Sequence, residues 1–269
     1  MHKRGIIHPR LPETKRQEKD VGVKKVFTRP ESLTETPFRF CPGCGHSILH
    51  RMIAEVIDEL GIRERVIGIA PVGCAVFAYD YFNFDVIECA HGRPPAVATA
   101  LKRVHPDAVV FSYQGDGDLA AIGTAEIIHA ANRGDNLSIF FINNATYGMT
   151  GGQMAPTTIL KQQTTTSPKG KSSTNEGFPL KVSELIATID GAVFVARTSL
   201  EDIKNVLATR KLIRKVFENQ IEKKGFSFLE ILSPCPTDWH YTPADSMKWI
   251  KNEMMSVYKS GIIKDIYAG

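Results

Sequence analysis

Ala108-Val-Val-Phe-Ser-Tyr-Gln-Gly115-Asp116-Gly117-Asp118 and Leu137-Ser-Ile-Phe-Phe-Ile-Asn143-Asn144 are two apolar, β-prone runs, each ending in polar residues. The segment Ala120–Asn132 between them has helical spacing, so the unit reads strand, helix, strand. The alternation extends both ways. Val66–Ala70 and Val86–Cys89 read as strands and Ala96–Val104 as a helix. Beyond lie a helix at Val182–Ile189, a strand at Ala192–Ala196, a long helix from Leu200 and a strand at Phe226–Leu232. Near-continuous apolar strands separated by helices indicate an α/β fold: a mostly parallel sheet with helices on both faces. Such sheets bind ligands beyond the carboxyl ends of their strands, where Gly115-Asp-Gly and Asn143-Asn144 both fall.

That edge suits a metal-bound diphosphate. Magnesium takes hard oxygen ligands, usually with only one or two carboxylates among them. Glycines around the carboxylate let the backbone approach the phosphates, and a helix starting just after it offers free N–H groups. Gly115-Asp116-Gly117-Asp118 meets these needs. Asn144 can add a side-chain oxygen and Thr146 a backbone carbonyl. Alone, Gly-Asp-Gly is usually a turn. Here 25 residues separate Gly117 from Asn143, one helix and one strand, which returns the chain to the same edge. Asp118 can cap the following helix or bond near the diphosphate.

Five cysteines occur. Cys41-Pro-Gly-Cys44 puts two thiols on one tight turn. Cys74 falls at a strand end and Cys235 after a late strand. Four thiolates suit either an iron–sulfur cluster or structural zinc, and spacing alone leaves both open. Cys89, in an apolar strand, reads as an inert buried thiol. After Cys44-Gly-His46, the residues Ile48, Leu49, Met52, Ile53, Val56, Ile57 and Leu60 recur at helical spacing and read as core.

The net charge of +4 does not indicate nucleic-acid binding. Residues 1–36 hold nine Lys/Arg and five Asp/Glu, and the remainder is balanced. A nucleic-acid-binding domain shows its basic face in its folded part. Residues 1–36 read as an extended N-terminal arm and 37–269 as one cofactor-binding domain. Within it, 157–177, rich in Thr, Ser, Lys and Gly, is expected as a mobile loop. No apolar run is long enough for a membrane span, and there is no secretory signal. A cytoplasmic protein with reduced thiols is expected.

The Gly115-Asp-Gly…Asn143-Asn144 pattern resembles the motif of thiamine-diphosphate enzymes. Cys41-Pro-Gly-Cys-Gly-His46, Gly73-Cys-Ala75, His91-Gly-Arg93, Gly115-Asp-Gly-Asp118 and Met149-Thr-Gly-Gly-Gln153, in this order, resemble the β subunit of the 2-oxoacid:ferredoxin oxidoreductases. The resemblance implies the pyrophosphate-type domain of the thiamine-diphosphate-binding fold. It implies magnesium at Asp116, Asn144 and Thr146, and a [4Fe–4S] cluster at Cys41, Cys44, Cys74 and Cys235. Thiamine diphosphate is then expected along Val72, Gly73, Cys74, Ala75, His46, His91, Gly92, Arg93, Gly115, Gly117, Asp118, Gly148, Met149 and Thr150. The implied reaction is coenzyme A-dependent oxidative decarboxylation of a 2-oxoacid, with electrons passing to ferredoxin. Gly151-Gly-Gln-Met-Ala-Pro156 is more similar to branched-chain and 2-oxoglutarate members than to pyruvate ones.

No residue here reads as the catalytic acid or base. The resemblance places the activating Glu on an α subunit that carries the pyrimidine domain, so this polypeptide alone is expected to be inactive. Further γ and small ferredoxin-like δ subunits are implied. One rival is a non-oxidative thiamine-diphosphate decarboxylase subunit with structural zinc. Another is a non-enzymatic iron–sulfur subunit that has lost cofactor binding.

Overall fold

A computed structural model of the protein describes residues 28–268. Its centre is a seven-stranded sheet in the order β2-β1-β3-β4-β6-β5-β7. The strands are β1 (Val66–Ala70), β2 (Asp85–Glu88), β3 (Val109–Gly115), β4 (Ser138–Asn143), β5 (Ala192–Ser199), β6 (Phe226–Leu232) and β7 (Gly261–Asp265). All pairings are parallel except that of β5 with β7. The main helices are α1 (His46–Leu60), α3 (Pro94–Val104), α4 (Thr124–Asn132), α5 (Val182–Ala187) and α6 (Ile203–Ile221). Shorter ones are α2 (Ala78–Tyr81), α7 (Pro236–Trp239), α8 (Pro243–Trp249) and α9 (Met255–Val257).

The period of two along each strand divides the core. Phe111, Tyr113, Phe140 and Ile142 face a cluster with Leu49, Ile53, Val56 and Ile57 of α1 and Ile213, Val216 and Phe217 of α6. Their neighbours Val110, Ile139, Phe141 and Phe228 face Ala98 of α3, Ile127, Ala130 and Ala131 of α4, and Ile186 of α5. Both faces are therefore covered, and each large side chain so buried contributes about 1.5–3 kcal/mol. A third cluster joins Ala145, Ile159 and Leu232 to Trp239, Ile250, Met254 and Tyr258, from the region after Cys235.

Two expected boundaries shift. The helix expected over Ala120–Asn132 begins as a π-helical turn, Asp116–Ile122, and becomes α-helical only from Thr124. Gly123 lies at the change. A Cβ there would stand 2.6 Å from the carbonyl oxygens of both Gly92 and Asp118, so backbone packs on backbone. Of the expected N-terminal arm, residues 1–27 lie outside the described residues. From position 28 the chain packs on the domain: Ser32 and Leu33 are buried, and Ser32 N–H donates to Asp58 at 3.1 Å. The stretch 157–177, expected as a mobile loop, holds no helix or strand but is tied inward. Thr158 Oγ1 and Gln162 Nε2 donate to the Ala145 carbonyl at 2.7 and 3.0 Å, and Lys171 Nζ donates to that of Pro156 at 3.2 Å.

Beneath the sheet edge lies a buried polar network. Glu230 Oε2 accepts from Arg197 Nε at 2.8 Å, and Oε1 accepts from Asn143 Nδ2 at 2.7 Å. Arg197 also pairs with Glu184. Both Arg197 and Glu230 side chains are fully buried. Arg197→Ala leaves the Glu230 charge in the core without its cation. The expected loss is about 3–5 kcal/mol of unfolding free energy, read from urea denaturation; a loss below about 1 kcal/mol contradicts this account of the network.

Candidate functional site

The carboxyl ends of β1, β3 and β4 open onto one cavity. Its lining includes His46, Val72, Gly73, Cys74, Ala75, His91, Gly115, Asp116, Gly117, Asp118, Asn144, Thr146, Gly148, Met149 and Thr150. Nearly all residues expected along a cofactor are thus brought together from segments far apart in the chain. Gly92 and Arg93 are not among the lining residues. Gly92 N–H donates to Asp118 Oδ1 at 2.9 Å, and Arg93 pairs with Glu126. Ala121, Ile122, Ile142 and Tyr147 also line the cavity. Tyr147 opens the loop Tyr147-Gly-Met-Thr150 that resembles the family's diphosphate loop; Ala121, Ile122 and Ile142 are not singled out by sequence patterning, because apolar residues on a helix or strand read as core.

Asp116 caps the end of β3 and is buried. Its Oδ2 accepts the backbone N–H groups of Asn144 and Thr146 at 3.1 and 3.2 Å. Its Oδ1 is buried with no hydrogen-bond partner. The Asn144 side-chain amide touches Asp116 Oδ2 at 2.6 Å and the Thr146 carbonyl oxygen at 2.7 Å. With its NH₂ group there it donates to both. With its oxygen there, three oxygens crowd together and require a cation between them. An octahedral magnesium ion with oxygens at 2.0–2.1 Å spaces adjacent ligands by about 2.9 Å, close to this crowding. The donor set and the orphaned Oδ1 fit a hard divalent cation.

Burial pushes the Asp116 carboxyl up to about 7. A cation binds the ionised form, so binding releases a proton wherever the carboxyl starts protonated.

Asp118 is buried and holds loops rather than facing a ligand alone. Its Oδ1 accepts from Val72 N at 3.3 Å and Gly92 N at 2.9 Å, and lies 2.7 Å from His91 Nδ1. Its Oδ2 accepts from Gln114 Nε2 at 2.6 Å. The turns after β1 and β2 are thereby tied to β3. His46 is neutral: burial first, then neighbouring His50, lower it to about 3. Its Nδ1 lies 2.6 Å from Tyr113 Oη and its ring stacks on Phe40.

The four expected cluster cysteines gather on one side of this cavity. Cys44 N–H donates to the Cys41 carbonyl at 3.0 Å, closing the turn. Gly45, next along, packs against Ser233 and Pro234, which brings the turn towards Cys235. Cys74 opens the turn after β1, and Cys235 is the N-cap of α7. Burial raises the thiols of Cys44 to about 12 and Cys74 to about 11, and raises that of Cys235. Each of these also feels a neighbour of the set: Cys44 feels Cys74 and Cys41, Cys74 feels Cys41, and Cys235 feels Cys44. Such thiols ionise only with a positively charged partner, as iron ligation supplies. A zinc tetrahedron would draw its four sulfurs to about 3.8 Å from one another. Among the described residues no group of three or more His, Cys, Asp or Glu side chains stands close enough to hold a metal ion. Cys89 is half-buried, and burial raises its thiol to about 11.

A parallel sheet that gathers these groups at its carboxyl edge defines a thiamine-pyrophosphate-binding domain. The family model for the C-terminal TPP-binding domain of thiamine pyrophosphate enzymes matches residues 72–231. The chain is 48% identical over 241 residues to ketoisovalerate oxidoreductase subunit VorA of Methanothermobacter thermautotrophicus, covering 86% of this chain and 50% of that protein. It is 38% identical to 2-oxoglutarate synthase subunit KorB of Methanocaldococcus jannaschii, covering 83% and 81%. It is 30% identical to a 2-oxoacid:ferredoxin oxidoreductase subunit beta from a Sulfolobus species, covering 84% and 69%. A 2-oxoglutarate:ferredoxin oxidoreductase from Magnetococcus marinus, solved with 2-oxoglutarate, coenzyme A and succinyl-CoA bound, shares the fold at a TM-score of 0.72 and 24% identity. That match covers 91% of this chain and 87% of that one. The chain belongs to the family of 2-oxoacid:ferredoxin oxidoreductase subunits that carry the thiamine-pyrophosphate-binding domain. It spans about half the length of the VorA relatives it matches.

Two outcomes follow from this geometry. Magnesium-dependent thiamine diphosphate binding, followed by calorimetry, is expected to hold above pH 7. Below it, binding weakens by about tenfold per pH unit as Asp116 takes up its proton; Asp116→Asn is expected to abolish binding at every pH. Asp118→Ala strands the N–H groups of Val72 and Gly92, at about 1–3 kcal/mol each. A melting temperature and cofactor affinity both equal to wild type would contradict the role given to Asp118.

Proposed function

We propose that the chain is the cofactor-binding subunit of a coenzyme A-dependent 2-oxoacid:ferredoxin oxidoreductase. The reaction converts a 2-oxoacid, coenzyme A and oxidised ferredoxin to acyl-CoA, carbon dioxide and reduced ferredoxin. The observation that carries this reading is the meeting, at one sheet edge, of a hard oxygen site at Asp116, Asn144 and Thr146 with four thiols, one of which, Cys74, lines the same cavity. When bound, thiamine diphosphate supplies the electron sink for breaking the bond to the carboxylate. In this reading Asp116, Asn144 and Thr146 anchor its diphosphate through magnesium. Val72, Gly73, Ala75, His46, His91, Gly148, Met149 and Thr150 shape the walls and exclude water. Cys41, Cys44, Cys74 and Cys235 hold a [4Fe–4S] cluster. Electron removal by that cluster separates this reading from the zinc-containing decarboxylase.

The favoured substrate is a branched-chain 2-oxoacid. No Lys or Arg lines the cavity among the described residues, whereas Ile122, Ile142 and Met149 do. Any cation for the second carboxylate of 2-oxoglutarate would therefore come from another chain. The greater identity to the ketoisovalerate relatives points the same way.

The carboxylates lining the cavity are Asp116 and Asp118, both already engaged by backbone N–H groups. In this reading the group that activates the pyrimidine comes from an α subunit, and γ and ferredoxin-like δ subunits complete the complex. No helix among the described residues is long and apolar enough to cross a membrane. With thiols as ligands, the proposed compartment is the reducing cytoplasm.

The test is anaerobic purification of the complex from its source. It is expected to be brown, with a shoulder at about 400 nm, and to contain magnesium and thiamine diphosphate. Across a panel of 2-oxoacids it is expected to reduce a viologen dye fastest with ketoisovalerate, while the isolated chain reduces none. A colourless, zinc-loaded complex, or viologen reduction by the chain alone, refutes the corresponding part.

A further inference from the structure

Asp238 lies on α7, three residues after Cys235, and nothing above gives it a role. Cys235 Sγ donates to its Oδ2 at 3.2 Å. A Cβ built on Gly148 would stand 3.4 Å from Asp238 Oδ2, 3.4 Å from Cys74 Sγ and 3.6 Å from Cys235 Sγ, so the three groups ring one point. Gly148 also lines the cofactor cavity, while Asp238 itself lies behind it, lining a separate surface cleft with Gln162 and Trp239. Gly152 closes on the other side, where a Cβ would fall 3.1 Å from that of Asp238. Among the described residues no Lys, Arg or His forms an ion pair with Asp238.

We propose that Asp238 holds the reduction potential of the [4Fe–4S] cluster low, by keeping an unpaired negative charge against Cys74 and Cys235. This rests on the cluster reading above. Reduction adds one electron to a cluster whose four thiolates already make it anionic. A fixed carboxylate beside two of them raises the energy of the reduced form more than that of the oxidised form. One electron enters the cluster and one leaves to an iron–sulfur acceptor, and Asp238 is neither oxidised nor reduced. A lower potential makes the reduced cluster a stronger donor to that acceptor. Asp238 thus favours delivery of the electron over its uptake, without touching substrate or cofactor.

The full chain, produced anaerobically and reconstituted with iron and sulfide, is titrated through its redox couple by EPR beside Asp238→Asn and Asp238→Ala. The expected result is unchanged cluster content with a more positive midpoint potential in both variants. Potentials unmoved in both overturn the proposal. A rise in the Asn variant alone assigns the effect to a new N–H···S hydrogen bond and equally overturns it. Loss of the cluster in both makes Asp238 a structural residue, again against the proposal. A wild-type chain that takes up zinc, or no cluster, shows itself before any variant is compared, and that failure belongs to the cluster reading.

Discussion

Asp118 occupies the place where three strand ends of a parallel sheet must be held in fixed relation. Parallel strands bond to each other along their length, but nothing in that ladder orients the turns that follow them. Here one buried carboxylate accepts N–H groups from the turn after β1 and the turn after β2, and an amide from β3 itself. Charge-assisted bonds of this kind are about twice as strong as neutral ones. Removing the carboxylate would strand its donors away from water. Val72 and Cys74 on one side and His91 on the other are therefore placed by a single group two residues from Asp116, the proposed magnesium ligand. The π-helical turn Asp116–Ile122 makes this possible, since both Asp116 and Asp118 are buried within it. Wider turns of this type recur at functional sites.

Behind that edge the sheet supplies rigidity of a different sort. Asn143 ends β4 with Nδ2 on Glu230 and Oδ1 accepting from Ala145 N–H at 3.0 Å. Ala145 has a φ of 55°, an unusual conformation for a residue with a side chain. Its carbonyl is held by Thr158 and Gln162. The bend that turns Asn144 and Thr146 toward Asp116 is thus fixed from below by the Arg197–Glu230 pair and from the side by the 157–177 stretch. A buried ion pair is weak evidence for stability in itself. Its use here is to hold an amide whose neighbour in the chain, Asn144, lies against Asp116 and Thr146.

Much of this was legible in the sequence, for physical reasons that differ from residue to residue. Strands buried on both faces must be continuously apolar, so β1, β3, β4 and β6 announced themselves, and Gly115-Asp-Gly marked where one ended. The separation of Gly117 from Asn143 works because a helix and a strand return the chain to the same edge. Cys41-Pro-Gly-Cys44 was legible because only a tight turn fits it. Long-range partners were not. Hydrophobic periodicity cannot distinguish a π turn from an α turn over seven residues, so the start of the helix after Asp118 was misplaced. Only the resemblance sets Arg93 along the cofactor; its pairing with Glu126 of α4 is long-range and no local pattern shows it. Arg197 sits in a strand that reads as plain β structure, and its burial shows only when Glu230 and Glu184 are set around it. The third cluster, built from Trp239, Ile250, Met254 and Tyr258, has too short an apolar period to be seen without Leu232 and Ala145 beneath it.

The same edge separates hard from soft donors, and that separation explains why one chain can hold both kinds of site. Oxygens come from β3 and β4, the central strands, where a carboxylate can be desolvated and still be met by backbone N–H groups. Sulfurs come from segments around them: the turn before α1, the turn after β1 and the N-terminus of α7. Magnesium prefers the first set and iron the second. Neither set lies in the other's path except at Cys74, whose backbone neighbours shape the cofactor wall while its thiol turns toward Cys44 and Cys235. In the proposed reading, the cavity and the thiols in its wall are separated by little more than Gly148 and the Cys74 turn. Bulk at either place would lengthen that separation, and a glycine at 148 keeps it short.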